Sequence, residues 1–406
     1  MPHRHDRRLW RSRQDHLSGT NRPRGDSRGP IRIAALRTYV ASPTVTRCAF
    51  SRHRAKLDGE RGAWRIAFNV TLSTLWTLPV PANRSLDLSS RFRGCLLGLA
   101  VGDAVGTTLE FAVPGKFEPI DAMVGGGPFN LEPGQWTDDT SMALCLASSL
   151  VERVGFDARD QMDRYCRWRD DGYQSSTGEC FDIGRTVGSA LQRYRLTGDP
   201  FAGSTDPDTA GNGSIMRLAP VPMFHVHDIE AAEHYAAESS RTTHGAIECV
   251  DACRLLARIL VRALRGESKA EVLLADADHL ALADRIAAIA RGNYRGKPAA
   301  EIHGTGYVVR SLEAALWAFA SMTTFRDAVL AAANLGDDAD TTAAICGQVA
   351  GAFYGDQGIP ATWLRHVAMR EDIVLLADLL YSKNRAAAGA CSNGGDTPSF
   401  PQPKIR

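Results

Sequence analysis

Beyond residue 88, apolar side chains recur at the three- and four-residue spacing of amphipathic helices, and very few stretches alternate as a β-strand does. This spacing predicts helices over 91–105, 141–154, 158–170, 183–196, 228–240, 245–265, 268–291, 307–320, 324–334, 341–354, 360–368 and 371–381. No run of about 18 uninterrupted apolar residues occurs, so no transmembrane helix is predicted. The pattern therefore indicates a compact, all-α, multi-helix single domain.

Glycine repeats at every fourth position of the first predicted helix, at Gly94, Gly98, Gly102 and Gly106. This spacing places the four glycines on one strip, where the absence of side chains lets another backbone come close. Each glycine costs about 1 kcal/mol of helix propensity relative to alanine. We therefore expect a close helix contact that compensates for this cost. We interpret Asp103, which interrupts the strip, as a structural hydrogen-bonding residue.

Two acidic turns, 136–140 and 336–342, each lead directly into a helix that is apolar almost all round. Such helices are buried, so the carboxylates at their N-terminal ends are expected to point inward. Four carboxylates drawn together would repel one another and shift each other's pKa values unless cations lay among them. Two divalent cations between two central helices would neutralise this charge. Their candidate ligands are Thr137, Asp138, Asp139, Asp338, Asp340 and Thr341.

An oxygen-only ligand set suits hard ions such as Mg²⁺ or Mn²⁺ rather than zinc. The alternative is that each turn is an ordinary helix N-cap, because Asp and Thr are among the preferred capping residues. For either turn alone, capping is the simpler interpretation. The matched pattern of the two turns favours the metal site.

Composition divides the chain at about residue 88. Residues 1–88 contain 17 Lys and Arg and 6 Asp and Glu, whereas the remainder contains 30 basic and 40 acidic residues. We predict that 1–88 is a disordered or adventitious Arg-rich extension, that 89–381 is the folded domain, and that 382–406 is a loose polar tail. The extension lacks interleaved aromatic residues and any recognisable nucleic-acid-reading motif, so no nucleic-acid partner is expected.

The nine cysteines are scattered and form no CxxC pair, and no secretory signal begins at Met1. A reduced, cytoplasmic setting fits this usage best, with neither a membrane partner nor a disulfide framework. We expect the protein to be a monomer.

Three loops and one carboxylate carry further candidate chemistry. Asp182 stands at a predicted helix start, and Glu110 follows the glycine-rich helix. Gly211, Asn212, Gly213 and Ser214 form a turn whose exposed N–H groups would suit a phosphate, although on composition alone a plain turn is the simpler interpretation. His244 precedes a long helix, a position where a lone histidine usually caps or packs.

Taken together, these segments resemble the ADP-ribosylglycohydrolase family from about residue 91 to 381, and most closely the bacterial enzymes that remove ADP-ribose from dinitrogenase reductase. The resemblance rests on the ordered set GDAVGTTLEF, WTDDTSMAL, STGECFDIG, AGNGSIMRLAP, RTTHG and NLGDDADTTAAICGQVAGAFYG. Each segment alone is a weak signal, but the ordered set is specific. The resemblance implies an all-helical domain with two Mg²⁺ or Mn²⁺ ions on the same six ligands that the charge argument selects.

The family's reaction is hydrolysis of the bond between ADP-ribose and a protein side chain, which is arginine in the most similar members. The resemblance implies a mono-ADP-ribosylated protein as substrate and ADP-ribose as product. It assigns Asp182 as the acid/base and Glu110 as a gating or assisting carboxylate. It also implies that Gly211, Asn212, Gly213 and Ser214 hold the pyrophosphate through backbone N–H groups, and that His244 lines the same cleft.

Other functions stay open at this point. The linkage could be to serine or to an acetyl ester, the domain could be a catalytically silent ADP-ribose binder, or the metals could serve a nucleotide phosphoesterase. The division of work between Asp182 and Glu110, the identity of the modified protein and the choice between Mg²⁺ and Mn²⁺ are also open.

Overall fold

The computed structural model describes residues 86–392, with side chains described as far as Lys383. The predicted extension over 1–88 lies almost wholly outside the described residues. Within them the chain is helical and contains only isolated β-bridges. The fourteen α-helices are α1 (Leu88–Gly106), α2 (Asp138–Arg153), α3 (Ala158–Asp171), α4 (Arg185–Thr197), α5 (Pro220–Phe224), α6 (Ile229–Arg241), α7 (Ile247–Leu264), α8 (Lys269–Leu274), α9 (Asp284–Ala290), α10 (Val308–Ser321), α11 (Phe325–Ala333), α12 (Ala339–Tyr354), α13 (Ala361–Leu364) and α14 (Arg370–Ser392). The all-α prediction is confirmed.

Helices α1 and α12 form the most extensive helix pair of the described fold and lie at its centre. Nearly every residue of both helices is buried, including polar positions. Helices α10, α11 and α14 pack around this pair, and α6 and α7 pack against each other beside it. A smaller apolar cluster joins α3 and α4 to Met142 and Cys145 of α2.

The glycine strip of α1 faces α12, as its spacing predicts. A Cβ atom added to Gly98 would lie less than 2.5 Å from the carbonyl oxygen of Gly347, and one added to Gly102 would meet the backbone of Ala343. The two backbones therefore touch without intervening side chains. This contact brings the C-terminal part of α1 beside the N-terminal end of α12.

The structure differs from the prediction at four places. The helix predicted over 360–368 is reduced to the four residues of α13, and the chain turns before α14 begins. The single helix predicted over 268–291 is two helices, because Ala275 and Asp276 take left-handed conformations with φ of 54° and 47° and the chain turns between α8 and α9. Helix α5 was not predicted, since it has only five residues, two of them proline. Helix α14 continues to Ser392, ten residues past the start of the predicted tail at 382.

None of the helices in the described part of the chain is both long and apolar enough to cross a membrane.

Candidate metal centre and cleft

The N-terminal end of α2 is held by a carboxylate from α1. Oδ1 of Asp103 accepts hydrogen bonds from the N–H and the hydroxyl of Thr137, both at 2.9 Å. Oδ2 of Asp103 accepts from the N–H of Thr140 at 3.1 Å and from its hydroxyl at 2.6 Å. Thr137 occupies the N-cap position of α2, but its side chain makes no capping hydrogen bond. Asp103 thus performs the structural role expected of it, from a neighbouring helix.

The N-terminal end of α12 is positioned by two loops. The N–H of Asp338 donates to the carbonyl of Gly304 at 2.9 Å, and Oδ2 of Asp338 accepts from Nδ2 of Asn212 at 3.0 Å. Asp338 is the N-cap residue, yet its side chain also makes no capping hydrogen bond. Ordinary capping therefore explains neither acidic turn.

The two helix ends meet directly, although about 200 residues separate them along the chain. The hydroxyl of Thr137 lies 3.3 Å from Oδ2 of Asp340. The hydroxyl of Thr341 lies 3.3 Å from Oδ2 of Asp139. Each helix end thus contributes one hydroxyl and one carboxylate, and each hydroxyl contacts the carboxylate of the other helix end.

Carboxylates from five segments of the chain gather at this meeting point. One group consists of Asp103, Asp139 and Asp340, and a second of Glu110, Asp182 and Asp340. In each group one ligand oxygen from every member lies within 4.8 Å of the others. Asp340 belongs to both groups and so lies between two candidate cation positions.

The negative charge of this cluster has no basic counterpart within residues 86–383. None of its carboxylates forms an ion pair with Lys or Arg there. Burial, reinforced by neighbouring carboxylates, raises the pKa of Glu110 to about 9 and that of Asp182 to about 7. The same causes raise the pKa values of Asp139 and Asp340 well above the ordinary range. Buried like charges at this density need either protons or cations.

Two buried oxygens of the cluster make no hydrogen bond, namely Oδ1 of Asp139 and Oε2 of Glu110. Unpaired buried acceptors are costly, and both belong to groups that could hold a metal ion. The donors available are carboxylates and hydroxyls, which is the chemistry that Mg²⁺ and Mn²⁺ accept. The residues present therefore fit hard divalent cations.

The remaining predicted ligands and acids lie around the same point. Asp138 and Asp338 line the cleft but belong to neither group of three. Asp182 has a left-handed backbone, with φ of 54°. It does not cap α4, whose N-cap residue is Gly184. Glu110 is 7% exposed and lines the cleft, so it is not a surface carboxylate.

The glycine-rich turn forms another wall of the cleft, with His244 behind it. The N–H of Gly211 donates to Thr209 O and that of Asn212 to Gly306 O. The N–H groups of Gly213 and Ser214 make no hydrogen bond with described residues. Two of the four predicted N–H donors therefore lack a partner among the described residues, and of these two residues Gly213 lines the cleft whereas Ser214 is buried behind it.

His244 is a packing residue of this wall rather than a helix cap. The N-cap position of α7 is Ala246, and Nδ1 of His244 lies 2.8 Å from the hydroxyl of Thr243. Burial, with a smaller contribution from the charge of Arg217, lowers the pKa of His244 to about 3. The imidazole is therefore neutral at ordinary pH. A Cβ on Gly213 would lie 2.8 Å from Cε1 of His244, so a larger residue at this position would have to displace the imidazole.

Arg217, which sequence analysis did not single out, lies behind the same turn. Its side chain is fully buried, and within the described residues it forms no ion pair with a carboxylate. Its guanidinium donates to Gly213 O and, at 2.7 Å, to the hydroxyl of Thr243. It also stacks over the ring of Tyr165, with Cζ 4.9 Å from the centroid. The one available signal was its position in an apolar segment directly after the glycine-rich turn.

The cleft has a volume of about 1040 Å³ and extends from the acidic cluster to a polar group that sequence analysis also missed. There the hydroxyl of Tyr307 donates to Oε2 of Glu248 at 2.5 Å, and Nη1 of Arg285 donates to the Tyr307 hydroxyl at 2.8 Å. These residues are far apart in sequence, and no motif connects them. The volume suits a ligand of nucleotide size.

Comparison with known proteins identifies the relatives of this chain. A model of the ADP-ribosylglycohydrolase family matches residues 84–389. A Pseudomonas putida protein named ADP-ribosylarginine hydrolase Tri1 is 47% identical over 72% of this chain and 78% of its own length. The ADP-ribosyl-[dinitrogen reductase] glycohydrolase of Rhodospirillum rubrum is 32% identical over 70% of this chain and 92% of its own length. A solved structure described as an ADP-ribosylglycohydrolase-related protein complex aligns with a TM-score of 0.65 and 43% identity, covering 73% of this chain and 99% of that one.

Proposed function

The chain belongs to the ADP-ribosylglycohydrolase family, and we propose that it hydrolyses the N-glycosidic bond between ADP-ribose and a protein arginine side chain. The similarity to a protein named as an ADP-ribosylarginine hydrolase, at 47% identity, supports arginine as the linkage. The products would be free ADP-ribose and the unmodified arginine side chain.

The meeting of the two acidic helix ends carries the proposal. Thr137, Asp138, Asp139, Asp338, Asp340 and Thr341 would hold two Mg²⁺ or Mn²⁺ ions. Asp139 and Asp340 belong to the carboxylate groups that could hold an ion, and Asp138 and Asp338 line the same cleft. The unpaired Oδ1 of Asp139 is available as a ligand atom. When bound, such ions offset the carboxylate charge and activate water for attack on a sugar carbon. Asp103 would act indirectly, because it holds Thr137 and Thr140 in place.

Cleavage of a glycosidic bond develops positive charge on the sugar and requires a proton for the leaving group. Asp182 and Glu110 face the cleft beside Asp340 without a basic partner there. We assign Asp182 as the carboxyl group that exchanges a proton with the departing arginine. Glu110, one of whose carboxylate oxygens lies within 4.8 Å of one of Asp182, would assist as a gating carboxylate. Its carboxyl would ionise and stabilise the cationic transition state only with cations bound beside it, because burial raises its pKa to about 9.

The glycine-rich turn would hold the diphosphate of the substrate. The N–H of Gly213 is the candidate donor that lines the cleft, and that of Ser214 follows it in the turn. Gly211 and Asn212 fix the shape of the turn through their own hydrogen bonds. Neutral His244 supports this wall without adding charge. All of the assigned groups lie within 89–381, so we propose that this range forms the catalytic domain. We also propose that the protein acts as a monomer.

The test is incubation of an arginine-ADP-ribosylated protein with the purified chain, with and without EDTA. We expect release of free ADP-ribose that stops when EDTA removes the divalent ions. A double variant, Asp338→Ala with Asp340→Ala, should lose this activity and also the thermal stabilisation that Mg²⁺ or Mn²⁺ gives to the unmodified chain.

The matched control is the double variant Asp171→Ala with Asp278→Ala, which removes two carboxylates from exposed positions. It should keep both the activity and the response to metal. Full activity in the Asp338/Asp340 variant would contradict the proposed metal centre. AMP as product would indicate pyrophosphate cleavage instead, binding of ADP-ribose without turnover would indicate a silent binder, and activity only on serine-linked or ester-linked substrates would contradict the arginine assignment.

A further inference from the structure

Three phenylalanine rings form a connected cluster at the mouth of the cleft, which we name the aromatic rim: Phe111, Phe129 and Phe181. The ring centroids of Phe111 and Phe129 are 6.4 Å apart, and those of Phe129 and Phe181 are 5.3 Å apart. Phe111 lines the cleft, yet 64% of it is exposed. These three rings have no role in the proposed reaction.

The aromatic rim is attached to the two carboxylates that flank the reacting bond in the proposed function. Phe111 directly follows Glu110, and Phe181 directly precedes Asp182. Because Phe111 both lines the cleft and is exposed, it offers a surface to a group that leaves from beside Glu110 toward solvent.

The backbone at Phe111 is fixed in an unfavourable conformation. Its φ of 59° is left-handed, which for a bulky side chain is a genuine outlier. The N–H of Phe111 donates to Asp337 O at 2.7 Å, and the N–H of Asp337 donates to Ala112 O at 2.8 Å. This pair of hydrogen bonds ties the exposed ring to the residue preceding Asp338. Strain of this kind persists where surrounding structure enforces it, often at functional sites.

The surface beside the aromatic rim is also apolar. Val113 is 59% exposed and Val124 is 50% exposed. The loop that carries Val124 is joined to the segment before Glu110, because the Thr108 hydroxyl donates to Gly125 O at 3.1 Å. A cluster of exposed apolar side chains usually indicates an interaction surface. Aromatic side chains are common anchors in such surfaces.

Resting on the proposed function, we propose that the aromatic rim is the docking surface for the polypeptide segment that carries the ADP-ribosylated arginine. Once ADP-ribose occupies the cleft, the attached polypeptide must lie outside it, beside Glu110 and Asp182. Apolar side chains next to the modified arginine would pack on the three rings. The ring faces would also favour the cationic guanidinium as it departs. The rim would thus select protein substrates, whereas the cleft selects ADP-ribose.

The test compares two substrates that share one scissile bond: an arginine-ADP-ribosylated protein and ADP-ribosylated free arginine. kcat/KM is measured on both for the unmodified chain and for Phe111→Ser and Phe129→Ser. We expect each variant to lose about tenfold more kcat/KM on the protein than on the free amino acid, because truncation of an aromatic anchor is typically this costly. Phe129→Ser is the sharper variant, since Phe129 does not line the cleft.

Leu196→Ser is the matched control, since Leu196 is 79% exposed on α4 and does not line the cleft. It should leave the ratio between the two substrates unchanged. Thermal unfolding of each variant separates loss of folding from loss of docking. Equal losses on both substrates, or no loss on the protein, would overturn the docking surface while leaving the proposed reaction intact. If the unmodified chain released ADP-ribose from neither substrate, the proposed reaction itself would fail.

Discussion

Substitution of Gly98 by alanine tests whether direct backbone contact between α1 and α12 holds the fold together. The new Cβ would lie less than 2.5 Å from the carbonyl oxygen of Gly347, whereas ordinary contact begins at 3.4 Å. The two helices would have to separate locally by about 1 Å. No side-chain rotation can relieve the clash, because both partners are backbone.

Overpacking of this kind costs about 1–3 kcal/mol, and a clash between two backbones belongs at the upper end. Alanine also contributes about 1 kcal/mol of helix propensity relative to glycine. The expected net effect of Gly98→Ala is therefore a decrease of about 2 kcal/mol in the free energy of unfolding. The separation would also displace Asp103 from Asp340, so the affinity for Mg²⁺ should fall as well.

Gly188→Ala provides a matched control, because Gly188 lies within α4 and an added Cβ would meet only Cδ1 of Ile183, at 3.9 Å. Gly188→Ala therefore gains helix propensity without creating a clash, and its free energy of unfolding should rise by about 1 kcal/mol. Urea denaturation followed by circular dichroism measures both variants on one scale. If the two substitutions changed stability in the same direction, the claim of close contact between α1 and α12 would be wrong.

Two further predictions concern buried polar groups. Asp103→Asn places an amide NH₂ group where a carboxylate oxygen now accepts hydrogen bonds from an N–H and a hydroxyl. In saturating Mg²⁺, this substitution should lower the free energy of unfolding by about 2 kcal/mol. An unchanged midpoint of urea denaturation would contradict this prediction. Burial lowers the pKa of His225 to about 4, so the unfolded chain takes up the proton first as pH falls below about 6.5. When the pH falls from 7 to 5, the free energy of unfolding of His225→Phe should therefore decrease by about 2 kcal/mol less than that of the unmodified chain. Equal decreases, measured by urea denaturation at the two pH values, would show that protonation of His225 does not destabilise the fold.

Local pattern was enough to predict much of this fold. The spacing of Gly94, Gly98 and Gly102 predicts a backbone contact, because four residues span slightly more than one helical turn and so share one face. The structure confirms that contact. The apolar helices after 136–140 and 336–342 are buried, as predicted. Their meeting could be predicted only from matched composition, since no local rule specifies which helix ends are neighbours.

What sequence analysis missed depends on neighbours that are distant along the chain. Arg217 is notable only because its guanidinium meets Gly213 and Tyr165 in a region without carboxylate partners. Tyr307 matters because Glu248 and Arg285 lie against its hydroxyl. The helix predicted over 268–291 was wrong because apolar spacing continues across a turn that backbone conformation interrupts.

The direct contact between α1 and α12 also limits how the chain can change in length. One residue inserted into α1 between Gly98 and Asp103 would rotate everything beyond it by about 100°. Gly102 would then leave the interface, and Asp103 would turn away from the start of α2. Deletion of one residue within the same stretch would rotate the following residues by about 100° in the opposite direction. Relatives of this chain should therefore differ in length within their loops, while the register from the glycine strip to the acidic cluster stays constant.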